Sequence, residues 1–330
     1  MNDQLRAARA LRSTIRATRQ QTEEGRRLPP QVVEGLIASG LFRLAVPASV
    51  GGPETEPSVA LQIYEELAWA DASVAWIVWN NQLVGLASRY CSEAVRTEIF
   101  SENGAIFANS TRPSGRAVLV DGGFSVSGRW SLVSGCELAD WIPVMCVITE
   151  GAEPRMLAAG VPEARMVYLP KGSYRILDTW HVGGLRGTGS HDVVVDDIFV
   201  PAERTFSFTD PAQYDRPLSR TPFFATVCAS CAALCLGIAQ AATDTLLELA
   251  ALKVQVDPFP GLRDRPAVQM MVASSAANLA SARLLLHEAL RDVWAACTQR
   301  DTGDGRATRA RVGEWPPRRA RFEGGGEVHV

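Results

Sequence analysis

Residues 117–130, AVLVDGGFSVSGRW, decide the fold of this 330-residue chain. Two apolar, alternating runs flank Asp121-Gly122-Gly123, and the two glycines can adopt the positive φ that a tight hairpin turn needs. Further strand-like runs follow up to Pro201 at about ten-residue spacing, which is typical of an antiparallel sandwich or barrel. The stretch therefore predicts the first hairpin of an antiparallel β domain.

Helical periodicity lies on both sides of this β block. Before it, the apolar residues between Leu5 and Ile15 recur at helical spacing, and either Asp71 or Ser73 is placed to cap a later helix. Because the helical and β segments are segregated, we expect an α+β protein rather than a doubly wound sheet. The predicted division is a helical domain at 1–104, a β domain at 105–205, an incomplete helical bundle at 206–300 and an irregular tail at 301–330.

Composition argues against several classes of protein. The net charge of -3 provides no concentrated positive surface for nucleic acid or an anionic membrane. The N-terminus has no apolar signal segment, so we expect a cytoplasmic protein. The apolar run at 223–242 is rich in Ala, Cys and Ser, which favours a buried helix over a membrane span. Cys228, Cys231 and Cys235 fall on one face of that helix without a second Cys or His pair, so we expect reduced thiols and no metal site.

Three stretches resemble the acyl-CoA dehydrogenase superfamily. They are 46–76 (VPASVGGPETEPSVALQIYEELAWADASVAW), 120–141 (VDGGFSVSGRWSLVSGCELADW) and 178–206 (DTWHVGGLRGTGSHDVVVDDIFVPAERTF). The last two are more similar to one subgroup, the two-component, reduced-flavin-dependent monooxygenases (group D) and their dehydrogenase-like relatives. The resemblance implies a helical N-terminal domain, a middle antiparallel β-barrel or sandwich and a C-terminal helical bundle, with flavin at their junction.

The resemblance also implies an activity and partners. We expect a flavin-dependent oxidoreductase that takes reduced FAD or FMN from a separate flavin reductase and hydroxylates a small aromatic or polycyclic substrate through C4a-hydroperoxyflavin. Two alternatives stay open: an FAD-dependent acyl-CoA dehydrogenase, and an inactive truncated homologue that acts only as a binding or assembly protein. Members of the family are usually tetrameric, so a homo-oligomer is expected.

Cofactor-binding residues are expected in three segments. An isoalloxazine needs hydrogen-bond partners at N5 and along its pyrimidine edge, and an apolar or aromatic wall. The family pattern assigns N5 and its surroundings to Trp130, Ser131, Ser134 and Gly135, and the pyrimidine edge to Ser110 and Thr111. In the dehydrogenases one segment of the C-terminal bundle reaches the FAD diphosphate. The matching segment here comprises Lys253–Phe259 and the residues after it, and it keeps only Gln269 of the family pattern. From the residues alone, a core position for Trp130 and plain turns elsewhere remain equally open.

The remaining expected site residues lie on a helix and a glycine-rich segment. Ser134, Arg186 and Thr188 are the catalytic candidates, and the substrate-pocket candidates are Trp76, Trp79, Asn81 and Ser190. If residues 184–190 are extended, Arg186, Thr188 and Ser190 point to one face. The alternatives are a β-corner with a structural Arg186 and a purely core role for the two tryptophans.

The sequence changes character after about Asp301, where apolar periodicity ends. Relatives continue past Arg311 with helices that carry the catalytic Glu of the dehydrogenases or the late His base of the monooxygenases. His329 lies in a Gly- and Arg-rich stretch that does not align with either. We expect the reading frame, or the gene, to diverge from the ancestral one at about Val312.

Overall fold

The computed structural model describes residues 2–158, 160–252 and 261–299. Its α-helices are α1 Asp3–Ala17, α2 Arg19–Gly25, α3 Pro30–Ala38, α4 Pro57–Ala70, α5 Ala72–Ala87, α6 Glu93–Phe100, α7 Pro217–Arg220, α8 Phe223–Leu252 and α9 Pro266–Thr298. Its strands are β1 Ser110–Val120, β2 Gly123–Val133, β3 Trp141–Glu150, β4 Glu153–Pro154, β5 Ala164–Pro170, β6 Arg175–Leu177, β7 His191–Pro201 and β8 Thr205–Phe206. This order confirms the predicted α+β class. The predicted tail at 301–330 and the segment Lys253–Phe259 lie outside the described residues.

The β strands of the described residues form one sheet, in the order β6-β7-β2-β1-β3-β5-β8, with β4 beside β3. The predicted hairpin is confirmed, because β1 pairs antiparallel with β2 and Gly122 has φ 73°. The expectation of a wholly antiparallel domain is corrected at one pair: β1 runs parallel to β3 from Gly115↔Cys146 to Val118↔Thr149. The chain crosses over between these strands, so the sheet is mixed.

The long helices α8 and α9 pack on the N-terminal helices along one side only. Gly237 lets α8 approach α4 closely, since a Cβ there would lie 2.5 Å from the backbone oxygen of Glu65. The opposite side is open: Leu284 and Leu285 are 69% and 71% exposed. On α8 itself Phe224 is 63% exposed and Cys228 is exposed, so the prediction of a buried helix over the apolar run is only partly correct. Helix α8 has the length and apolar composition of a membrane span, and 33% of its most apolar window is buried in the protein.

The helical and β domains meet at an aromatic junction. Phe100 from α6 and Phe107 have ring centroids 4.9 Å apart, and Tyr168 from β5 lies 5.7 Å from Phe206 of β8. All four residues are less than 2% exposed. The junction also includes Val84 and Ala87 near the end of α5, whereas Val74 to Trp79 of the same helix contribute to the N-terminal core. Because α5 contributes to both cores, its position relative to the sheet is fixed by packing on two sides.

A half-buried carboxylate joins α4 to α9. Glu65 accepts hydrogen bonds from Arg283 Nε at 2.6 Å and from His287 Nε2 at 2.7 Å. Burial alone would raise the pKa of Glu65, but the bonds from His287 and Arg283 outweigh it and lower the pKa below its ordinary value of 4.5. The ionised form is therefore favoured in the folded state, and Glu65 stabilises the contact between the two helices.

The lowered pKa predicts an acid-dependent loss of stability that a Glu65→Gln variant lacks. A carboxyl whose pKa falls on folding stabilises the protein fully above its unfolded value, and this contribution is lost as the pH falls through the folded value. At about pH 6 the variant should be destabilised by roughly 1–3 kcal/mol, and the difference should shrink below about pH 4. Urea unfolding at several pH values measures it. Asp3→Asn, at an exposed ion pair with Arg6, is the control with little expected effect; a difference independent of pH would contradict the prediction.

Candidate functional site

Helix α5 is the central element of the candidate site. Asp71 caps its first turn, because Oδ1 accepts from the backbone nitrogens of Ser73 at 2.8 Å and Val74 at 3.1 Å. Of the two predicted caps, Asp71 is therefore the one used. Trp76 and Asn80 follow one turn apart and lie on the same face of the helix. That face meets two of the three chain segments in which flavin-binding residues were predicted.

Asn80 holds the first of these segments. Asn109, directly before β1, donates through Nδ2 to the Asn80 backbone oxygen at 3.0 Å and to Asn80 Oδ1 at 2.8 Å. Both residues are 8% exposed. Of the predicted residues that follow, Ser110 is 5% exposed and Thr111 is exposed. The start of β1 is thus tied to α5 by a buried amide pair.

Asn81 has a structural role, which corrects its prediction as a substrate-pocket residue. It is 1% exposed, donates to the backbone oxygen of Phe42 and accepts from the backbone nitrogen of Phe107 at 2.5 Å. Both ends of the amide are bonded to backbone groups, so the side chain serves to connect Phe42 with Phe107. The next residue, Gln82, bonds the backbone of Ala45 in the same way at 2.7 Å.

The second segment is shaped by a bulge at the end of β2. Trp130 pairs with Val193 and Val133 with His191, so β2 has one more residue than β7 in this interval. Leu132 takes up the extra length with φ 61°, a left-handed conformation that is costly for a residue with a side chain. Beyond it the chain turns through Ser134.

The Gly-rich segment 184–190 is not extended, which corrects the expectation that its alternate residues share one face. Residues 186–188 form a single 3₁₀ turn between Leu185 at φ 53° and Gly189 at φ 49°. The turn docks on β2, because the backbone nitrogen of Gly135 donates to the backbone oxygen of Thr188 at 2.9 Å. Thr188 and Ser190 nevertheless come together.

Four of the predicted residues form one hydrogen-bonded cluster, which we call the hydroxyl cluster: Trp76, Ser134, Thr188 and Ser190. Trp76 Nε1 donates to Ser134 Oγ at 2.9 Å, Ser134 Oγ lies 2.7 Å from Ser190 Oγ, and Ser190 Oγ lies 2.7 Å from Thr188 Oγ1. The three hydroxyl-bearing residues are buried: Ser134 is 5%, Ser190 4% and Thr188 1% exposed. Every hydrogen-bonding group in the cluster is uncharged, so it supplies directional hydrogen bonds and not charge.

Trp130 is a core residue, and the prediction that it faces the flavin is wrong. Its ring is 0% exposed and its Nε1 donates to the backbone oxygen of Met145 at 2.8 Å. Gly115 and Gly128 leave room for the ring, since a Cβ on Gly115 would lie 2.0 Å from Trp130 Cζ2. No surface of the indole is left for a ligand. The neighbouring Ser131 is half-buried.

Two other predicted site residues lie apart from the hydroxyl cluster. Arg186 donates through Nε to the Glu23 backbone oxygen at 2.8 Å and through Nη1 to Val182 at 3.1 Å, which fits its structural alternative. Gln269, on α9, is exposed and donates to the backbone oxygen of Arg263 at 3.0 Å. Neither side chain hydrogen-bonds to Trp76, Ser134, Thr188 or Ser190 in the described part of the chain.

The residues present fit an isoalloxazine. Ser134 supplies a buried hydroxyl that still has bonding capacity, and Trp76, half-buried beside it, supplies an aromatic ring. Gly135 has φ 77° and brings bare backbone to the same place. The Trp79 ring packs against that of Trp76 with the centroids 4.7 Å apart and the planes tilted by 48°, and the Trp79 Nε1 is buried without a partner among the described residues. These are the aromatic wall and the donors and acceptors that a flavin ring requires.

Sequence reasoning missed Asn80 and Asn109. Their amides connect the start of β1 to α5, and neither side chain belongs to a motif that would have pointed to a contact between them. The available signal was the polar run at 80–82 inside an otherwise apolar helix, because a buried amide has to find a partner.

Comparisons with known proteins identify the family. Residues 4–102 match the acyl-CoA dehydrogenase N-terminal domain family, and residues 229–315 match the C-terminal domain family. The chain is 32% identical over 269 residues to indole-3-acetate monooxygenase of Pseudomonas putida, covering 82% of this chain and 67% of that protein. It is 30% identical over 299 residues to the oxygenase component of the FADH2-dependent resorcinol hydroxylase of Rhizobium sp., covering 84% and 69%.

A solved structure that contains reduced flavin has a similar fold. XiaF from Streptomyces sp., in complex with FADH2 and glycerol, is 27% identical with a TM-score of 0.77, over 89% of this chain and 75% of that one. The two family domains flank the β domain in both sequence and structure. The chain therefore belongs to the acyl-CoA dehydrogenase superfamily and, within it, to the flavin-dependent monooxygenases.

Proposed function

We propose that this chain is the oxygenase component of a two-component monooxygenase that hydroxylates a small aromatic or polycyclic substrate. The observation that carries the proposal is the hydroxyl cluster, in which Trp76 of α5 holds the buried hydroxyl of Ser134 where helical and β domains meet. A bound reduced flavin supplies two electrons to O2, so that one oxygen atom enters the substrate and the other leaves as water. A separate reductase would supply the reduced FAD or FMN.

The chain's own residues would position the flavin and exclude water. Ser134 would contact N5, and the backbone and hydroxyl of Ser110, at the start of β1, would meet the pyrimidine edge. Trp76 and Trp79 would border the substrate side of the ring. Ser134 and Ser190 are at most 5% exposed, so bulk water has little access to these two hydroxyls.

An anaerobic titration tests this function. The purified chain is titrated with FMNH2 and with FADH2, then mixed with air-saturated buffer and a panel of phenols and indoles. We expect binding of at least one reduced flavin, and a product that has gained one oxygen atom by mass spectrometry. Co-purified oxidised FAD that is bleached by an acyl-CoA would instead indicate the dehydrogenase alternative, and binding of neither reduced flavin would refute the proposal.

We further propose a cytoplasmic homo-oligomer. The apolar surface of α8 and α9 that faces away from the N-terminal helices includes Phe224, Met270 and Leu285, which are 63%, 73% and 71% exposed. A second copy of the chain would cover such a patch. Sedimentation equilibrium that finds only monomer would argue against it.

A further inference from the structure

The hydroxyl cluster is one unbroken chain of hydrogen bonds that ends on a backbone carbonyl. Beyond the contacts from Trp76 through Ser134 and Ser190 to Thr188, the Oγ1 of Thr188 lies 2.9 Å from the backbone oxygen of Leu185. The three hydroxyls are buried, so bulk water does not compete for these bonds. The direction in which each hydroxyl donates is therefore set inside the protein.

The two ends determine that direction. An indole nitrogen can only donate and a carbonyl oxygen can only accept, whereas each hydroxyl has one hydrogen and two lone pairs. All four contacts are made together only if Ser134 donates to Ser190, Ser190 donates to Thr188, and Thr188 donates to Leu185. In this arrangement Ser134 keeps one free lone pair and no free hydrogen.

The opposite direction loses one contact. If Ser134 donated outward to a ligand, Ser190 would have to donate to Ser134 and Thr188 to Ser190. The bond from Thr188 to the Leu185 carbonyl would then be absent. One neutral hydrogen bond corresponds to about a fivefold change in an equilibrium constant, so the chain favours Ser134 as an acceptor by about that factor.

We propose that Ser190 and Thr188 are positioning residues that keep Ser134 an acceptor and thereby make the site prefer reduced over oxidised flavin. The inference rests on the proposed function, in which Ser134 contacts flavin N5. The N5 atom of a reduced flavin carries a hydrogen and donates, whereas N5 of an oxidised flavin only accepts. When Ser134 keeps a free lone pair, it accepts a hydrogen bond from N5 of the reduced flavin. With the oxidised flavin, the lone pairs of Ser134 and N5 face each other and repel.

The test is the ratio of two dissociation constants, Kd for oxidised flavin over Kd for reduced flavin, measured under anaerobic conditions by titration with FMN and FMNH2 and with FAD and FADH2. Ser190→Ala frees the hydrogen of Ser134 and removes the preference, so the ratio should fall about fivefold. Thr188→Val removes the hydroxyl that links Ser190 to the Leu185 carbonyl, so both directions then make the same number of contacts and the preference is again lost. The ratio should therefore be about fivefold below the wild-type ratio in both variants.

Two variants separate this effect from a general structural one. Thr188→Ser retains the hydroxyl and should keep the wild-type ratio. Thr149→Val makes the same substitution as Thr188→Val at a residue 3% exposed, whose hydroxyl has no partner among the described residues, and should also keep it. If both Ser190→Ala and Thr188→Val kept the wild-type ratio, the inference would be overturned. The proposed function would still stand in that case, because the chain binds flavin. Binding of neither flavin state by the wild-type chain would overturn both.

Discussion

A Ser134→Ala variant is expected to form on the order of tenfold less hydroxylated product per reduced flavin oxidised, with the missing product replaced by hydrogen peroxide. The substitution removes the hydroxyl proposed to contact N5. It also leaves the Trp76 Nε1 hydrogen without its acceptor at 2.9 Å and takes away a partner of Ser190. Losing a buried partner costs more than a hydrogen bond gains, because the group left behind remains unsolvated.

The coupling of flavin oxidation to hydroxylation is measured by mixing the flavin-loaded variant with O2 and substrate. The amounts of hydroxylated product and of hydrogen peroxide are then quantified. Ser134→Thr retains the hydroxyl and should couple like the wild type. Ser230→Ala is the matched control, because Ser230 is 6% exposed but bonds only to the Thr226 backbone within α8. Equal product yields from Ser134→Ala and Ser230→Ala would exclude a role for the Ser134 hydroxyl.

A Trp130→Ala variant is expected to lose about 3–5 kcal/mol of unfolding free energy. Trp130 is the largest of the fully buried side chains, and its ring occupies the space above Gly115 and Gly128. Neither glycine has a side chain that can move into the vacated volume, so most of the cavity would remain. The Met145 backbone oxygen would also lose its donor.

Urea unfolding followed by circular dichroism measures this loss. A matched pair of Trp→Phe variants separates the contribution of the hydrogen bond from that of the ring volume. Trp130→Phe keeps most of the ring volume but removes the bond to Met145, so it should cost about 1–2 kcal/mol. Trp79→Phe removes a buried N–H that has no partner in the described part of the chain, so it should cost less than Trp130→Phe. A Trp130→Ala variant within 1 kcal/mol of the wild type, about the cost of a single methylene group, would show that the sheet repacks.

Local patterns predicted the parts of the fold that depend on neighbouring residues. The turn at Asp121-Gly122 and the cap at Asp71 follow from residue types that favour those conformations, and both are present. The parallel pairing of β1 with β3 depends on a crossover between distant residues, and no local pattern encodes it. The open side of α8 was missed for a related reason, because an apolar run favours burial of a helix but does not show which of its faces other elements of the same chain cover.

The candidate site, like the fold, could be predicted from the sequence only in part. The resemblance brought out Ser134, Thr188 and Ser190, which the structure places together although the conformation expected for 184–190 is wrong. Left-handed conformations at Leu132 and Leu185 create the bulge and the turn behind that arrangement. Leucine has no preference for this region, so only the packing of the sheet and α5 can impose it.

Helix α5 mechanically connects two of the segments in which flavin-binding residues are predicted. Trp76 bonds to one segment and Asn80 to the other, four residues and therefore about 6 Å apart along a stiff helix. Any movement of α5 along its axis would shift both contacts by the same amount and in the same direction, because no hinge lies between Trp76 and Asn80 within the helix.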